Sequence, residues 1–212
     1  MTDPAGSLVV PRLLVVTDRR SVSAGRTLCQ VISAAVAGGA STVLLRERDL
    51  PDVDRRLLAD EVLELLAPVG GLLIWAAPAT PNAVGVHLRS TDPLPAERPR
   101  LLGRSVHTPA EASSSVECAL DYVTVSPVAP SMTKPGYGPP LGCHGVGQTV
   151  AAAGPGLPVI ALGGVDATNA GGFVTAGAHG VAVMGGLMRA ADPAEQVAAI
   201  LAGMAAAAGR PT

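Results

Sequence analysis

Eight short apolar runs, rich in β-branched residues, recur along the chain, and each closes in a polar or glycine-rich loop. They cover residues 12–18, 41–47, 71–76, 84–88, 101–107, 122–128, 158–164 and 180–186. An Ala/Leu-rich stretch with helical spacing follows most of them. The runs are apolar throughout rather than at alternate positions, as in strands buried on both faces of a parallel sheet. Eight such steps within 212 residues predict a compact α/β fold, a (β/α)8 TIM barrel, in which closure leaves no edge strand. An open doubly wound sheet is the competing fold. It calls for a G-x-G-x-x-G turn after the first strand, and VVTDRRSVSAG, starting at Val15, has none. No linker or low-complexity stretch divides the chain, so residues 1–212 read as one barrel domain.

The intervening segments carry helix signals. Residues 22–37 place Val22, Leu28, Val31, Ile32 and Ala35 near one face, and 53–67 carry Leu57, Leu58, Val62, Leu65 and Leu66 at helical spacing. Thr108, Pro109 and Glu111 have the order of an N-cap, a first-position proline and a capping-box acid, which opens a helix over 109–116. Further helices are expected over 169–176, ended by Gly177, and from Asp192-Pro193 onward. Two connections look thin. Only APATPNA, about seven residues with two prolines, separates the third run from the fourth, and a helical crossover needs a dozen or more residues. Pro93, Pro95 and Pro99 break any helix after the fourth run.

Composition narrows the function classes. Aromatic residues make up 2% of the chain (Trp75, Tyr122, Tyr137, Phe173), so the core must be aliphatic. Lys+Arg number 15 against 17 Asp+Glu, for a net charge of −2. With no polybasic tract and few rings for base stacking, nucleic acid is not an expected partner. No apolar run reaches the ~18 residues of a membrane span, and no segment has the order of a signal peptide. The expectation is a soluble, cytoplasmic protein that does not meet a membrane. Cys29, Cys118 and Cys143 are too few and too scattered for a disulfide framework or zinc cluster, and read as structural thiols.

In a (β/α)8 barrel, ligands bind at the C-terminal ends of the strands. Those ends carry Thr17-Asp18-Arg19, Arg46-Glu47-Arg48-Asp49, His87 leading to Asp92, Ser105 with His107, and the glycine pairs Gly163-Gly164 and Gly185-Gly186. Paired glycines after strands seven and eight let backbone N–H groups approach an anion where such barrels hold phosphate. A bulky β-branched residue at Gly164 is therefore expected to block the ligand while the fold survives. Arg46 to Asp49 reads either as a self-neutralising charged turn or as a mouth at which Arg46 clamps a phosphate. The loop after strand six is long, about 15 residues, and holds Ser131, Thr133 and Lys134. Lys134 is the one lysine among the 15 basic residues; it reads as a compact charge for an anion or as a solvated side chain. His87, Asp92 and His107 are each ambiguous between site and structure, and His144 and His179 read as surface residues.

TVLLRERDL, GVHLRSTD, LLGRSVHTPAEA, DYVTVSPVAPSMTKPGYGPPLG and PVIALGGVDATNAGGFVTAGAHGVAVMGGLM, followed by DP, resemble the thiamine phosphate synthase/TenI family in order and spacing from Leu13 to Pro193. The resemblance implies the (β/α)8 fold and a role in thiamine biosynthesis. In the synthases a pyrimidine pyrophosphate ionises, its methylene carbon joins the nitrogen of a thiazole phosphate, and pyrophosphate leaves with the help of magnesium. Carried over by resemblance, the thiazole phosphate lies against Ser131, Met132 and Thr133, Gly163 or Gly164, and Met184-Gly185. The pyrophosphate meets Arg46, Arg48, Ser105 and Lys134, and Asp92 matches a magnesium ligand.

The chain departs from the synthase pattern at two strand ends. Synthases show Q-x-R-E-K at strand two, where this chain has Leu44 and Arg48 at the outer positions. They carry N-D-D after strand three, where this chain has Trp75-Ala76-Ala77-Pro78. Alanine offers no oxygen to a hard cation. The strings RER, GRSVH and AVMGGL are instead similar to the TenI branch, some members of which are thiazole tautomerases. The histidine those enzymes carry after strand six is Pro127 here, and His107 is the residue placed to transfer a proton. The reading that follows is a TenI-like protein that binds or isomerises a thiazole phosphate, with His107 and Lys134 as the catalytic candidates. The alternatives are a divergent synthase and a non-catalytic phosphate-ligand binder. No cofactor is expected, magnesium entering only with the synthase alternative, where Asp92 stands without its partner carboxylate. Self-association is left open.

Overall fold

The computed structural model describes residues 8–79, 83–130 and 138–209. Eight parallel strands close into a barrel in sequence order: β1 (Leu13–Val16), β2 (Thr42–Leu45), β3 (Leu72–Ala76), β4 (Gly85–Leu88), β5 (Leu101–Val106), β6 (Tyr122–Val125), β7 (Val159–Leu162) and β8 (Gly180–Val183). Val15 pairs with Val183 on one side and Val43 on the other, which closes the ring. Helices α1 (Leu28–Ala37), α2 (Asp52–Leu66), α3 (Pro109–Ser115), α4 (Gly142–Ala153), α5 (Ala170–Thr175), α6 (Gly185–Met188) and α7 (Pro193–Ala208) surround it. No described helix lies between β3 and β4 or between β4 and β5, as the short connection and the three prolines predict.

Because side chains alternate across a strand, each apolar run feeds two cores. Leu14, Val16, Leu44, Leu72, Ile74, Leu101, Tyr122, Ile160 and Ala182 pack together inside the barrel. Their neighbours Val15, Val43, Leu45, Leu73, Val123, Val181 and Val183 pack outward against helix residues such as Val31, Ile32, Val62, Val146 and Ile200. Each fully buried aliphatic side chain contributes about 1.5–3 kcal/mol. Tyr122 is the largest fully buried side chain and requires Gly103 beside it: a Cβ at that glycine would stand 2.1 Å from the tyrosine Cζ.

Local signals set the helix ends. Thr27 caps α1 in a full capping box with Gln30, so α1 starts at Leu28 and not at Val22. Residues 19–21 form a 3-10 turn instead, and Gly25 at φ 83° breaks the path to the helix. Thr108 Oγ accepts from the Glu111 N–H, but the Glu111 carboxylate accepts from the His107 N–H rather than closing the box. The buried face of α2 is Arg55, Ala59, Val62 and Leu66, while Leu57 points to solvent. Helix α4, with glycines at 142, 145 and 147, had no apolar periodicity strong enough to announce it.

Candidate active site at the mouth of the barrel

The C-terminal ends of the strands open on a cavity of about 1100 Å³ whose floor includes Leu14, Val16, Leu44, Ala76, Leu162 and Ala182. On the side of β7 and β8 stand Gly163, Gly164, Met184, Gly185 and Gly186. Gly163 and Gly164 have φ of 95° and 72°, a region that favours glycine. Their carbonyls are engaged, by the Ala129 N–H at 2.9 Å and the Asn169 side-chain amide at 2.8 Å. The turn therefore has N–H groups rather than carbonyls to offer an anion. A Cβ at Gly164 would lie 2.5 Å from the Pro130 carbonyl oxygen and 2.6 Å from that of Ala129. This corrects the expectation that the fold tolerates a bulky residue there, because the backbone after β6 would have to move. Gly186 is different: a Cβ there meets only Gln196 Nε2, at 3.9 Å.

Across the mouth, β2 and β4 present arginines. The sequence Arg46-Glu47-Arg48-Asp49 is divided between two directions. Glu47 accepts from the Arg19 backbone N–H at 3.0 Å and from its guanidinium at 2.9 Å, and Asp49 binds Arg19 and Arg20. These partners hold the Asp49 carboxyl well below the usual carboxylate range, with the hydrogen bond from Arg19 the largest cause. Arg46 and Arg48 line the cavity and make no salt bridge among the described residues. Burial first, and then the nearby Arg89 cation, pushes Arg48 below its ordinary pKa, with Asp92 acting in the opposite sense. Arg89, just after β4, also lines the cavity.

The end of β3 is closed by a cation from outside the barrel. Arg55 of α2 is buried, lies 4.9 Å over the Trp75 ring, and donates to the carbonyls of Leu45, Ala76 and Pro78. It thus ties together the ends of β2 and β3.

Between the two sides runs a buried polar chain. His87 bonds Tyr122 Oη at 3.1 Å through Nδ1 and Ser105 Oγ at 3.0 Å through Nε2. Burial, and next the Arg48 cation, lowers its pKa to about 3, so the ring is neutral and carries one N–H, donating to one oxygen and accepting from the other. Burial pushes the Tyr122 phenol up, so it stays protonated. His107 also lines the cavity. Its Nδ1 lies 2.9 Å from the Ser126 carbonyl oxygen. A carbonyl only accepts, so Nδ1 carries a proton.

The structure therefore brings Arg46, Arg48, Ser105, His107, Gly163, Gly164, Met184 and Gly185 to one cavity. Ser131, Met132, Thr133 and Lys134 lie outside the described residues. His144 is exposed on α4, while His179 is half-buried with Nε2 at 3.1 Å from the Val10 carbonyl oxygen. Sequence reasoning passed over Arg55, Arg89, Arg189 and Tyr122. Only Arg89 had a usable signal, its place just past a strand end.

Magnesium does not fit the described donors. Asp92 accepts from the Arg89 N–H at 2.8 Å with one oxygen and from Arg89 Nε at 2.9 Å with the other. The β3 end supplies Ala76 and Ala77, and no group of three or more His, Cys, Asp or Glu able to hold a metal occurs among the described residues.

A family model described as thiamine monophosphate synthase matches residues 13–187. The chain belongs to the thiamine monophosphate synthase family. Relatives in that family include the thiamine-phosphate synthase of Albidiferax ferrireducens, 38% identical over 86% of each chain. That of a Roseiflexus species is 34% identical over 96% of this chain and 88% of its own, and that of Xanthobacter autotrophicus is 37% identical over 92% and 96%. Among solved structures, thiamine phosphate pyrophosphorylase from Pyrococcus furiosus matches with a TM-score of 0.79 at 23% identity, covering 93% of this chain and 97% of that one. That likeness shows the barrel fold.

Proposed function

We propose that this protein performs the synthase reaction of its family, joining a pyrimidine pyrophosphate to a thiazole phosphate at the barrel mouth. One observation carries the reading: the cavity has two sides whose chemistry suits an anion, across an apolar floor. Glycine N–H groups stand at β7 and β8, and Arg46, Arg48 and Arg89 stand after β2 and β4. In a closed ring of eight strands, β8 faces β4, so these sides lie across the mouth from each other. An isomerase of one phosphorylated ring needs one such side, whereas a coupling of two phosphorylated substrates needs both. The sequence departures favour the TenI branch, but the names of the relatives support the coupling.

In this reading the thiazole phosphate sits against Gly163, Gly164 and Gly185, and the pyrophosphate sits among the arginines. The bond from the pyrimidine methylene carbon to the pyrophosphate oxygen breaks, and its electron pair stays with that oxygen. The thiazole nitrogen lone pair then forms the new carbon–nitrogen bond, and no proton need move. The arginines act where negative charge grows on the leaving group, and such fixed charge is the largest contribution in many active sites. Ser105, held by neutral His87, adds a hydroxyl to that side. The test is incubation with both substrates and chromatographic measurement of thiamine phosphate.

A tautomerase activity is the second reading, favoured by His107, an imidazole that lines the mouth and is oriented by its Nδ1 bond to the Ser126 carbonyl. It is tested with the thiazole tautomer alone. Ring aromatisation that His107→Gln abolishes supports it, and a rate equal to the protein-free control contradicts it.

A further inference from the structure

The arginine side of the cavity has more cationic donors than its partners use. Four arginines, Arg46, Arg48, Arg89 and Arg189, line the cavity, with Asp166 as the one carboxylate among the lining residues described. Asp166 is already engaged, by the Thr168 N–H at 2.8 Å and the Thr168 hydroxyl at 2.6 Å. Arg48 Nε is buried and has no hydrogen-bond partner among the described residues. A cation held beside other cations with a buried donor unused is costly unless an anion joins it.

Asp92 is a carboxylate whose charge acts on Arg48, and its geometry gives it another task. Its two oxygens go to the backbone N–H and to Nε of Arg89, and its own side chain is only 11% exposed. Its carbonyl is in turn fixed by Arg104 Nη2 at 2.9 Å. This arrangement grips Arg89 by the stem side of its guanidinium and leaves both Nη groups outside the pair. Forked N–H pairs suit phosphate oxygens, which they bind two at a time.

We propose that Arg46, Arg48 and Arg89 form a receptor for a diphosphate group that works without a divalent cation, and that Asp92 serves it as a positioning residue by holding Arg89 rather than as a metal ligand. The identity of the diphosphate rests on the synthase reading; the receptor itself is a statement about binding. Carboxylates that would bring a metal are replaced at the end of β3 by Ala76 and Ala77, whose strand end is already tied by Arg55. Fixed guanidinium groups then do the work of charge neutralisation.

Calorimetric titration of the full chain with inorganic pyrophosphate, in EDTA and again in excess magnesium, tests the proposal. Binding is expected in EDTA, with magnesium leaving the affinity within about threefold or weakening it, and inorganic phosphate binding at least tenfold more weakly than pyrophosphate. Arg89→Gln and Arg48→Gln should each weaken pyrophosphate tenfold or more in EDTA. Arg89 has a largely exposed side chain, so its variant is expected to fold, and circular dichroism checks both. Asp92→Ala should weaken binding equally with and without magnesium, and Asp92→Asn, which keeps one oxygen for Arg89 Nε, should recover most of the loss. Pyrophosphate binding that appears only with magnesium overturns the proposal, as does no binding in either buffer, or an Asp92→Asn loss confined to magnesium. The two ideas fail separately. Pyrophosphate held in EDTA by a protein that makes no thiamine phosphate sinks the synthase reading alone, and thiamine phosphate made only with magnesium by a protein that ignores pyrophosphate in EDTA sinks the receptor alone.

Discussion

Acid should loosen this barrel through one buried ring. His87 sits among Tyr122, Ser105 and Thr124 with no carboxylate of the described residues bonded to it, and its pKa in the fold is lowered to about 3 by burial and the Arg48 cation. In the unfolded chain it returns to an ordinary value of about 6.5. Between those two values the unfolded state binds the extra proton, so stability rises with pH and is lost as pH falls from about 6.5 toward 3. From pH 7 to pH 4.5 the linkage amounts to about 2–3 kcal/mol, equivalent to a fall of roughly 5–10 °C in Tm for a chain of this size. Other groups also titrate over this range, so the measurement is a difference. Urea unfolding of the wild type and of His87→Asn is followed at pH 7 and pH 4.5. The variant is expected to be less stable at pH 7, having lost a buried hydrogen-bond partner, but to lose about 2–3 kcal/mol less than the wild type on acidification. Equal losses in both proteins would refute the reasoning and mean that His87 titrates as an exposed ring does.

Gly186→Val puts a side chain at the β8 side of the mouth without meeting backbone; calorimetry should show thiazole phosphate binding weakened at least tenfold with an unchanged circular dichroism spectrum. Arg55→Met removes the donor shared by three carbonyls and should cost about 3 kcal/mol or more by urea unfolding, with Arg55→Lys recovering little because an ammonium lacks the planar fork. Lys134→Ala should weaken ligand binding or turnover about 10- to 100-fold, the effect of losing a charge-assisted hydrogen bond, and saturating ligand should protect Lys134 from acetylation followed by mass spectrometry.

The barrel was legible because its strands must be apolar on both faces, and runs such as TVLL and LLIWA say so directly. The mouth was legible in part for a related reason: a polar residue immediately after such a run has only the strand end to occupy, which places Arg46, Arg48, Ser105 and His107. Arg55 could not be read this way. On an amphipathic helix an arginine reads as a solvent residue, and the carbonyls that bury it come from β2, β3 and the segment after β3. The pairing of Gly103 with Tyr122 depends on strand register, which composition does not reveal. Helix α4 owes its place to the α3 and β7 surfaces it covers, and its glycines hide it from periodicity. The division of Arg46-Glu47-Arg48-Asp49 into two outward acids and two inward bases needed Arg19 and Arg20 from the β1 loop.

The central claim is that this mouth joins two phosphorylated substrates. The direct measurement is a single incubation of the purified chain with hydroxymethylpyrimidine pyrophosphate and thiazole phosphate, run in EDTA and in magnesium, with thiamine phosphate and pyrophosphate both quantified. The account predicts that the two products appear in equal amounts and that Arg48→Gln slows their formation at least tenfold. Absence of thiamine phosphate in both buffers, from protein that calorimetry shows to bind each substrate, would contradict it.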